Sequence, residues 1–200
     1  MMGKTHLAVG VASALLVTHP QTMTECVVSV LGGAIGGTLC DVDLFDQDNR
    51  HALRGQLLAV ALLAVAFFLD RILHTGVFFR MLNPNRVLAS MGGIGFMVLW
   101  LLAVKSSHRS FSHSILALML FTAAVHTAMP PVTLGFFVAF VSHLVLDLLN
   151  KKGIRLLYPL RKGISFGLCY ADGWLNKILL RLGTLLSVIL LFYGMVLHGG

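Results

Sequence analysis

Runs of apolar residues, broken by charged residues or proline, divide the 200-residue chain into seven segments. Long uncharged runs are typical of helices that satisfy their own backbone hydrogen bonds inside lipid. The pattern predicts helices at 7–19, 24–40, 55–69, 87–104, 114–129, 132–150 and 182–197. Several of these are shorter than the roughly 20 residues that span a bilayer. The sequence therefore leaves open whether the first two helices cross the membrane or form a re-entrant pair.

Two local signals refine this pattern. The second helix has two overlapped G-x-x-x-G spacings, which favour close packing against a neighbouring helix, and they are formed by Gly32, Gly33, Gly36 and Gly37. Pro130 and Pro131 predict the end of the fifth helix and a short turn before the sixth, because proline lacks a backbone donor and restricts the preceding residue. Without an internal repeat or a second compositional zone, we expect one integral membrane domain over 1–200.

Composition strengthens the membrane interpretation, since 57% of the residues are hydrophobic and 12% are charged. Ordinary soluble domains carry about 25% charged residues, so a soluble enzyme is excluded. The expected fold is an all-α polytopic transmembrane bundle with about five to seven membrane helices. At this hydropathy, the net charge of +7 indicates contact with anionic lipid headgroups rather than with nucleic acid.

The distribution of basic residues predicts an orientation. If all seven segments cross and the N-terminus is cytoplasmic, only Arg71, Arg80 and Arg86 of the 15 Lys and Arg residues fall on the far side. Cytoplasmic loops carry the excess of Lys and Arg in membrane proteins. This predicts that the N-terminus, 41–54, 105–113 and 150–181 share the cytoplasmic face.

Four short segments of that face contain the side chains that bind metals. They are Thr5-His6, Asp41-Val42-Asp43, the stretch S-H-R-S-F-S-H-S at 107–114, and Ser142-His143 with Asp147. Their meeting at one face is the main reason to predict a metal site. The candidate ligands are His6, Asp41, Asp43, His108, His113, His143 and Asp147.

His143 and Asp147 are four residues apart, so a helix places them on one face where a single ion could bind both. The alternative is a His–Asp hydrogen bond that closes two polar groups within the bundle. Ionisable groups in membrane segments are costly and usually functional, and the residues alone leave both interpretations open.

His108 and His113 are five residues apart and diverge on a continuous helix, so they fit a loop that enters a helix capped by Ser110 or Ser112. The alternative is an interfacial turn whose histidines face water. Arg109 has no acidic partner nearby in sequence, and its planar fork suits a substrate phosphate or carboxylate or, equally, a lipid headgroup.

Asp41 and Asp43 are followed closely by Asp46 and Asp48, and the spacing excludes a calcium-binding EF-hand loop. We interpret Asp46 and Asp48 as part of a solvated loop and the first two as ligands, since those lie nearest the membrane. A set of imidazoles and carboxylates suits Zn²⁺, with Mn²⁺ or Fe²⁺ as competitors. More than four candidate ligands favour two ions or an open coordination position over a closed structural zinc site.

These motifs resemble the bacterial YdjM-like family: T-H, D-x-D, S-H-R-S-F-S-H-S, and S-H-L-V-L-D followed by G-I-R-L-L-Y-P-L. The resemblance covers motif segments from His6 to about Pro159, and departs from the family pattern at Cys40 and Ser110. It implies a LexA-regulated, metal-dependent hydrolase of the bacterial inner membrane. A more distant similarity to the zinc-dependent phospholipase C and nuclease group implies phosphodiester chemistry. The residues that match the family motifs are His6, Asp41, Asp43, His108, Arg109, His113, His143 and Asp147.

The leading hypothesis is hydrolysis of a phosphoester of a lipid, or of a lipid-linked phosphate, by a metal-activated water. Asp41 or Asp43 would be the general base if it is not a ligand, and Arg109 would neutralise developing phosphoryl charge. Two alternatives are an ion- or proton-coupled transporter and a non-catalytic membrane protein whose metal staples helix ends. Anionic headgroups near the site would contact Lys151, Lys152 and Arg155.

Overall fold

The computed structural model describes residues 1–46, 68, 70–72, 74, 76–171 and 173–198, and at 43–46 and 195–198 it describes the backbone alone. The described chain is helical, with short 3₁₀ turns at Leu39–Asp46, Phe111–His113 and Pro130–Val132. Its α-helices are α1 (Gly3–Thr18), α2 (Met23–Thr38), α3 (Val77–Met81), α4 (Arg86–Lys105), α5 (Ile115–Ala128), α6 (Thr133–Leu148) and α7 (Trp174–His198).

Four of the described segments are long and apolar enough to cross a membrane: Met23–Val42, Arg86–Lys105, Pro130–Leu148 and Trp174–Gly194. Two shorter apolar helices, Gly3–Thr18 and Ile115–Ala128, accompany them. The predicted all-α membrane bundle is therefore confirmed. The predicted helix at 55–69 lies, apart from residue 68, outside the described residues.

The helix boundaries differ from the predicted ones mainly at α7, which begins at Trp174 and not at 182. Lys177 and Arg181 suggested a loop, but both are exposed on the first turns of the helix. Long basic side chains can extend along a helix to reach the headgroup layer, so they do not end a membrane helix. The short helix α3 was not predicted, and the turn at Pro130 and Pro131 is confirmed.

The glycines of α2 pack against two neighbours, where the sequence suggested one. Gly33 and Gly37 lie against α1, where a Cβ would meet the backbone of Gly10, Val11 or His6. Gly32 and Gly36 lie against α6, and the carbonyl of Phe136 occupies the place that a Cβ of Gly36 would need. Each G-x-x-x-G pair therefore packs against a different helix, and the two pairs together bring α1, α2 and α6 into close contact.

Five helix ends lie together at one end of the bundle: the start of α1, the end of α2, the start of α5, the end of α6 and the start of α7. Asn176 of α7 helps to fix this end, since its Oδ1 accepts from Thr5 Oγ1 at 2.8 Å and from the Met2 N–H at 3.2 Å. The Met2 side chain provides no cap for α1. Asn176 thus supplies an acceptor for orphan groups of the first turn, next to His6.

Candidate metal centre

Five side chains from four elements converge at this end of the bundle. Asp147 Oδ1 lies 3.3 Å from His6 Nε2, and Asp147 Oδ2 lies 3.3 Å from His113 Nε2 and 3.9 Å from His143 Nε2. Asp41 Oδ1 lies 3.7 Å from His143 Nε2 and 3.9 Å from His113 Nε2. The three imidazoles are fully buried. Residues far apart in sequence thus form one cluster of nitrogen and carboxylate oxygen ligands.

Within the described residues, two groups of three have ligand atoms that all lie within 4.8 Å of one another: His6, Asp41 and His143, and His113, His143 and Asp147. His143 belongs to both groups. Since its Nε2 has one lone pair, it can bind only one ion at a time. The two groups therefore describe overlapping positions for an ion around the same imidazole.

Hydrogen bonds on the far side of two imidazoles orient them toward the cluster. His143 Nδ1 lies 2.8 Å from the carbonyl oxygen of Gly37, which can only accept, so Nδ1 carries the proton and the Nε2 lone pair faces the carboxylates. His113 Nδ1 lies 2.9 Å from Ser112 Oγ. Such outer contacts hold the tautomer and ring orientation of histidine ligands in metal sites.

The Nε2 atoms of His6 and His143 are buried and make no hydrogen bond within the described part of the chain. The two rings stack with centroids 3.7 Å apart. Each unsatisfied buried polar group costs about 1–3 kcal/mol, so a partner that bound both Nε2 atoms would remove this cost. A divalent cation fits this donor set, because it would bind both nitrogens and neutralise the nearby carboxylates.

Asp147 also contacts two cationic groups. Arg109 Nη2 lies 3.2 Å from Asp147 Oδ2, and the N-terminal ammonium of Met1 lies 2.7 Å from Oδ1. Arg109 Nη1 donates to the carbonyl of Lys152. The backbone of Arg109 adopts a left-handed φ of 62°, and its carbonyl accepts from the Arg155 N–H at 3.0 Å. The acidic partner that the local sequence did not offer is therefore 38 residues away.

The stretch 107–114 differs from the expected helix start. Ser114, and neither Ser110 nor Ser112, caps α5 by accepting from the Ala117 N–H at 3.1 Å. His113 lies in the 3₁₀ turn before that helix, which turns its ring inward. Ser112 does not cap α5, and its hydroxyl contacts His113 instead.

The other two predicted ligands are His108 and Asp43. The His108 ring stands edge-on to the His113 ring at 5.7 Å, but His108 belongs to neither three-residue group of the described chain. The side chain of Asp43 lies outside the described residues. Their roles as ligands stay predictions.

The predicted headgroup residues lie in the segment after α6. Lys151 and Lys152 are exposed and Arg155 is half-buried. Lys151 Nζ donates to the Tyr170 hydroxyl at 2.7 Å, and this ammonium lowers the pKa of Tyr170. The Lys151 side chain thus already has a hydrogen-bond partner at the surface. The backbone carbonyl of Lys152 accepts a hydrogen bond from Arg109.

Replacing Ser112 with alanine is expected to weaken metal binding, because the His113 ring would lose the hydrogen bond that orients it. Loss of such an outer contact typically reduces metal affinity roughly 10–100-fold. Competition with a chromogenic chelator measures the change. Ser110→Ala is the matched control, since Ser110 is also buried and contacts His113 through its backbone carbonyl, which the substitution keeps. Equal affinities for the two variants would contradict the role given to Ser112.

Comparison with known proteins places the chain in a family. A family model described as YdjM inner membrane protein matches residues 1–199. The chain belongs to this family. The match confirms the family resemblance of the motifs, and the description of the family identifies the chain as an inner membrane protein. Hydrolysis and LexA regulation are not part of that description.

Further comparisons concern single relatives and solved structures. The uncharacterized protein YvsG of Bacillus subtilis (strain 168) is 31% identical over 94 residues, which are 46% of this chain. The match spans 58% of that relative's length. No solved structure matches the chain.

Proposed function

We propose that this protein is a metal-dependent hydrolase that cleaves a phosphoester of a membrane lipid at the cytoplasmic face of the inner membrane. The convergence of three buried imidazoles on two carboxylates, with the Nε2 atoms of His6 and His143 lacking hydrogen bonds among the described residues, carries the proposal. Buried polar groups in an apolar bundle are costly, and an arrangement built only for stability would satisfy them.

The proposed ligands are His6, His113, His143 and Asp147, with Asp41 as a ligand or a base. Exposure separates the two carboxylates: the side chain of Asp147 is 2% exposed and that of Asp41 is 21% exposed. A buried carboxylate is suited to holding an ion, whereas a partly exposed one can exchange protons with water. Zn²⁺ is the preferred ion for this ligand set, with Mn²⁺ or Fe²⁺ as competitors, and further ions would use Asp43 or His108.

In this proposal each residue has a defined task. A divalent ion held by these ligands would lower the pKa of water toward 7, and so would supply a nucleophile at neutral pH. Asp41, when it is not a ligand, would accept the proton of that water. Arg109 holds Asp147 through Nη2 and presents a planar cation to the phosphoryl group. The excess of basic residues at this end supports the cytoplasmic orientation of a multi-pass chain.

A second function, a non-catalytic metal staple, is favoured by one observation. The clustered side chains come from α1, the turn after α2, the turn before α5, and α6, so an ion bound there would join four parts of the bundle. Such a protein would bind metal and lose stability without it, but would not turn over any phosphoester.

Hydrolysis by purified protein in detergent or nanodiscs separates the two functions. With Zn²⁺ present we expect cleavage of bis(p-nitrophenyl) phosphate and of anionic phospholipids, lost on chelation. Arg109→Lys should lower kcat roughly 10²–10³-fold, as removal of a group that stabilises transition-state charge does. Arg86→Lys, at the opposite end, is the control. Metal binding without turnover of either substrate class would favour the staple.

A further inference from the structure

The segment between α6 and α7, residues 149–173 and here called the interfacial segment, presents large apolar side chains outward. Leu160, Phe166 and Leu168 are 61%, 65% and 72% exposed. Leu157 and Tyr170 are exposed as well. Apolar side chains scattered singly on a surface need no explanation, but this concentration in a segment that forms no described helix does.

Backbone hydrogen bonds hold the interfacial segment against the end of the bundle. Ile154 and Ile164 exchange backbone hydrogen bonds at 2.9 and 2.8 Å. The Phe166 N–H donates to the Leu148 carbonyl at 2.7 Å, and the Leu168 N–H donates to the Leu149 carbonyl at 3.0 Å. Ile154 is fully buried in the core. The backbone is therefore held on the end of the bundle, and this fixed geometry directs the apolar side chains away from the protein.

The segment is also strongly basic. Asp172 is its one acidic residue, against five basic residues, Lys151, Lys152, Arg155, Arg161 and Lys162. Arg161 and Lys162 are exposed and lie between the outward Leu160 and Phe166 in sequence. A surface that combines cationic and large apolar side chains matches the boundary of an anionic leaflet, where phosphates lie above acyl chains.

The position of the segment fits this surface. It joins two membrane helices, and Trp174, at the start of α7, is 73% exposed as expected of an interfacial aromatic residue. It also adjoins the metal centre, because the carbonyl of Lys152 accepts from Arg109 and the Arg155 N–H donates to the Arg109 carbonyl.

We propose that the interfacial segment lies in the leaflet, with its outward apolar side chains among the acyl chains and its basic side chains on the phosphates of anionic phospholipids. A lipid can then reach the cluster beside Arg109 from within the leaflet. The choice of such a lipid as the substrate rests on the proposed function, whereas the insertion of the segment does not. Hydrolysis and insertion can therefore fail separately.

Depth-dependent fluorescence quenching tests the insertion. In a Trp100→Phe, Trp174→Phe background, Phe166→Trp provides a single probe in the interfacial segment. In nanodiscs we expect strong quenching by lipids that carry a nitroxide on the upper part of the acyl chain, and weak quenching by acrylamide. Met97→Trp in the same background is the matched control, since Met97 is exposed on α4 and should respond to a nitroxide deep in the acyl chain. Quenching of the Phe166→Trp probe by acrylamide alone would overturn the proposal.

Charge removal tests the lipid class. The triple variant Lys152→Gln, Arg161→Gln, Lys162→Gln should bind phosphatidylglycerol in mixed nanodiscs more weakly, by roughly fivefold for each charge removed. The control Arg71→Gln, Arg80→Gln, Arg86→Gln removes three charges outside the interfacial segment and should weaken binding much less. An equal loss in both triple variants would contradict a specific lipid surface, and metal content measured in parallel reports separately on the proposed function.

Discussion

Replacing Asp147 with asparagine is expected to reduce bound divalent metal at least tenfold and to abolish hydrolysis. The carboxylate lies 3.3 Å from both His6 and His113, and it carries the negative charge that balances an ion in this buried site. The asparagine amide keeps the shape of the side chain but not its charge. Removing one partner from a buried group of charges is strongly destabilising, because the remaining charges are left uncompensated. Elemental analysis of purified protein, with turnover measured on the same sample, checks both effects.

Matched variants at the opposite end of the bundle control for nonspecific effects of losing a charge or an imidazole. Glu25→Gln removes an exposed carboxylate and His126→Ala removes an exposed imidazole, and both should keep full metal content. His143→Ala should behave like the Asp147 variant. Thermal melting in detergent shows whether each variant is folded. A folded Asp147→Asn protein with unchanged metal content would refute the ligand assignment.

Replacing Gly36 with alanine is expected to destabilise the bundle by roughly 1–3 kcal/mol, the usual cost of overpacking a close contact. The added methyl group would enter the space of the Phe136 carbonyl, a backbone atom that cannot move without shifting α6. Because α6 carries His143 and Asp147, such a shift should also weaken metal binding. Unfolding by a denaturing detergent, followed by circular dichroism, measures the loss.

Gly93→Ala is the matched control for this prediction. It is also a helical glycine, but nothing lies within 4 Å of the place of its Cβ. Alanine has a smaller entropic cost of helix formation than glycine, so this variant should be neutral or slightly more stable. Equal destabilisation by both substitutions would show that close contact between α2 and α6 does not hold the bundle together.

The apolar pattern alone predicted most of the described helices, since long uncharged runs can be recognised without knowledge of tertiary contacts. The motifs also pointed to the end of the bundle where five of the predicted ligands converge, because counting crossings places separate segments on one face. His6 illustrates this: it has little meaning in its own segment, but the structure stacks it on His143. The start of α7 was misplaced because exposed charges on a helix resemble a loop in sequence.

Other features of the site had no signal in the sequence. The contact between Arg109 and Asp147, and the support of Thr5 by Asn176, join residues far apart in the chain. Such pairs depend on how helices dock, which local composition does not encode. The Gly37 carbonyl that orients His143 was equally hidden, because a backbone oxygen has no sequence signature.

X-ray absorption at the zinc edge, on purified protein loaded with one equivalent of Zn²⁺, shows whether the clustered imidazoles and carboxylates bind the ion. We expect nitrogen and oxygen ligands at roughly 2.0–2.2 Å, with multiple-scattering features from at least two imidazoles and no sulfur at roughly 2.3 Å. Zinc that stays hexahydrated, or that binds through the thiols of Cys26, Cys40 or Cys169, would contradict this ligand assignment.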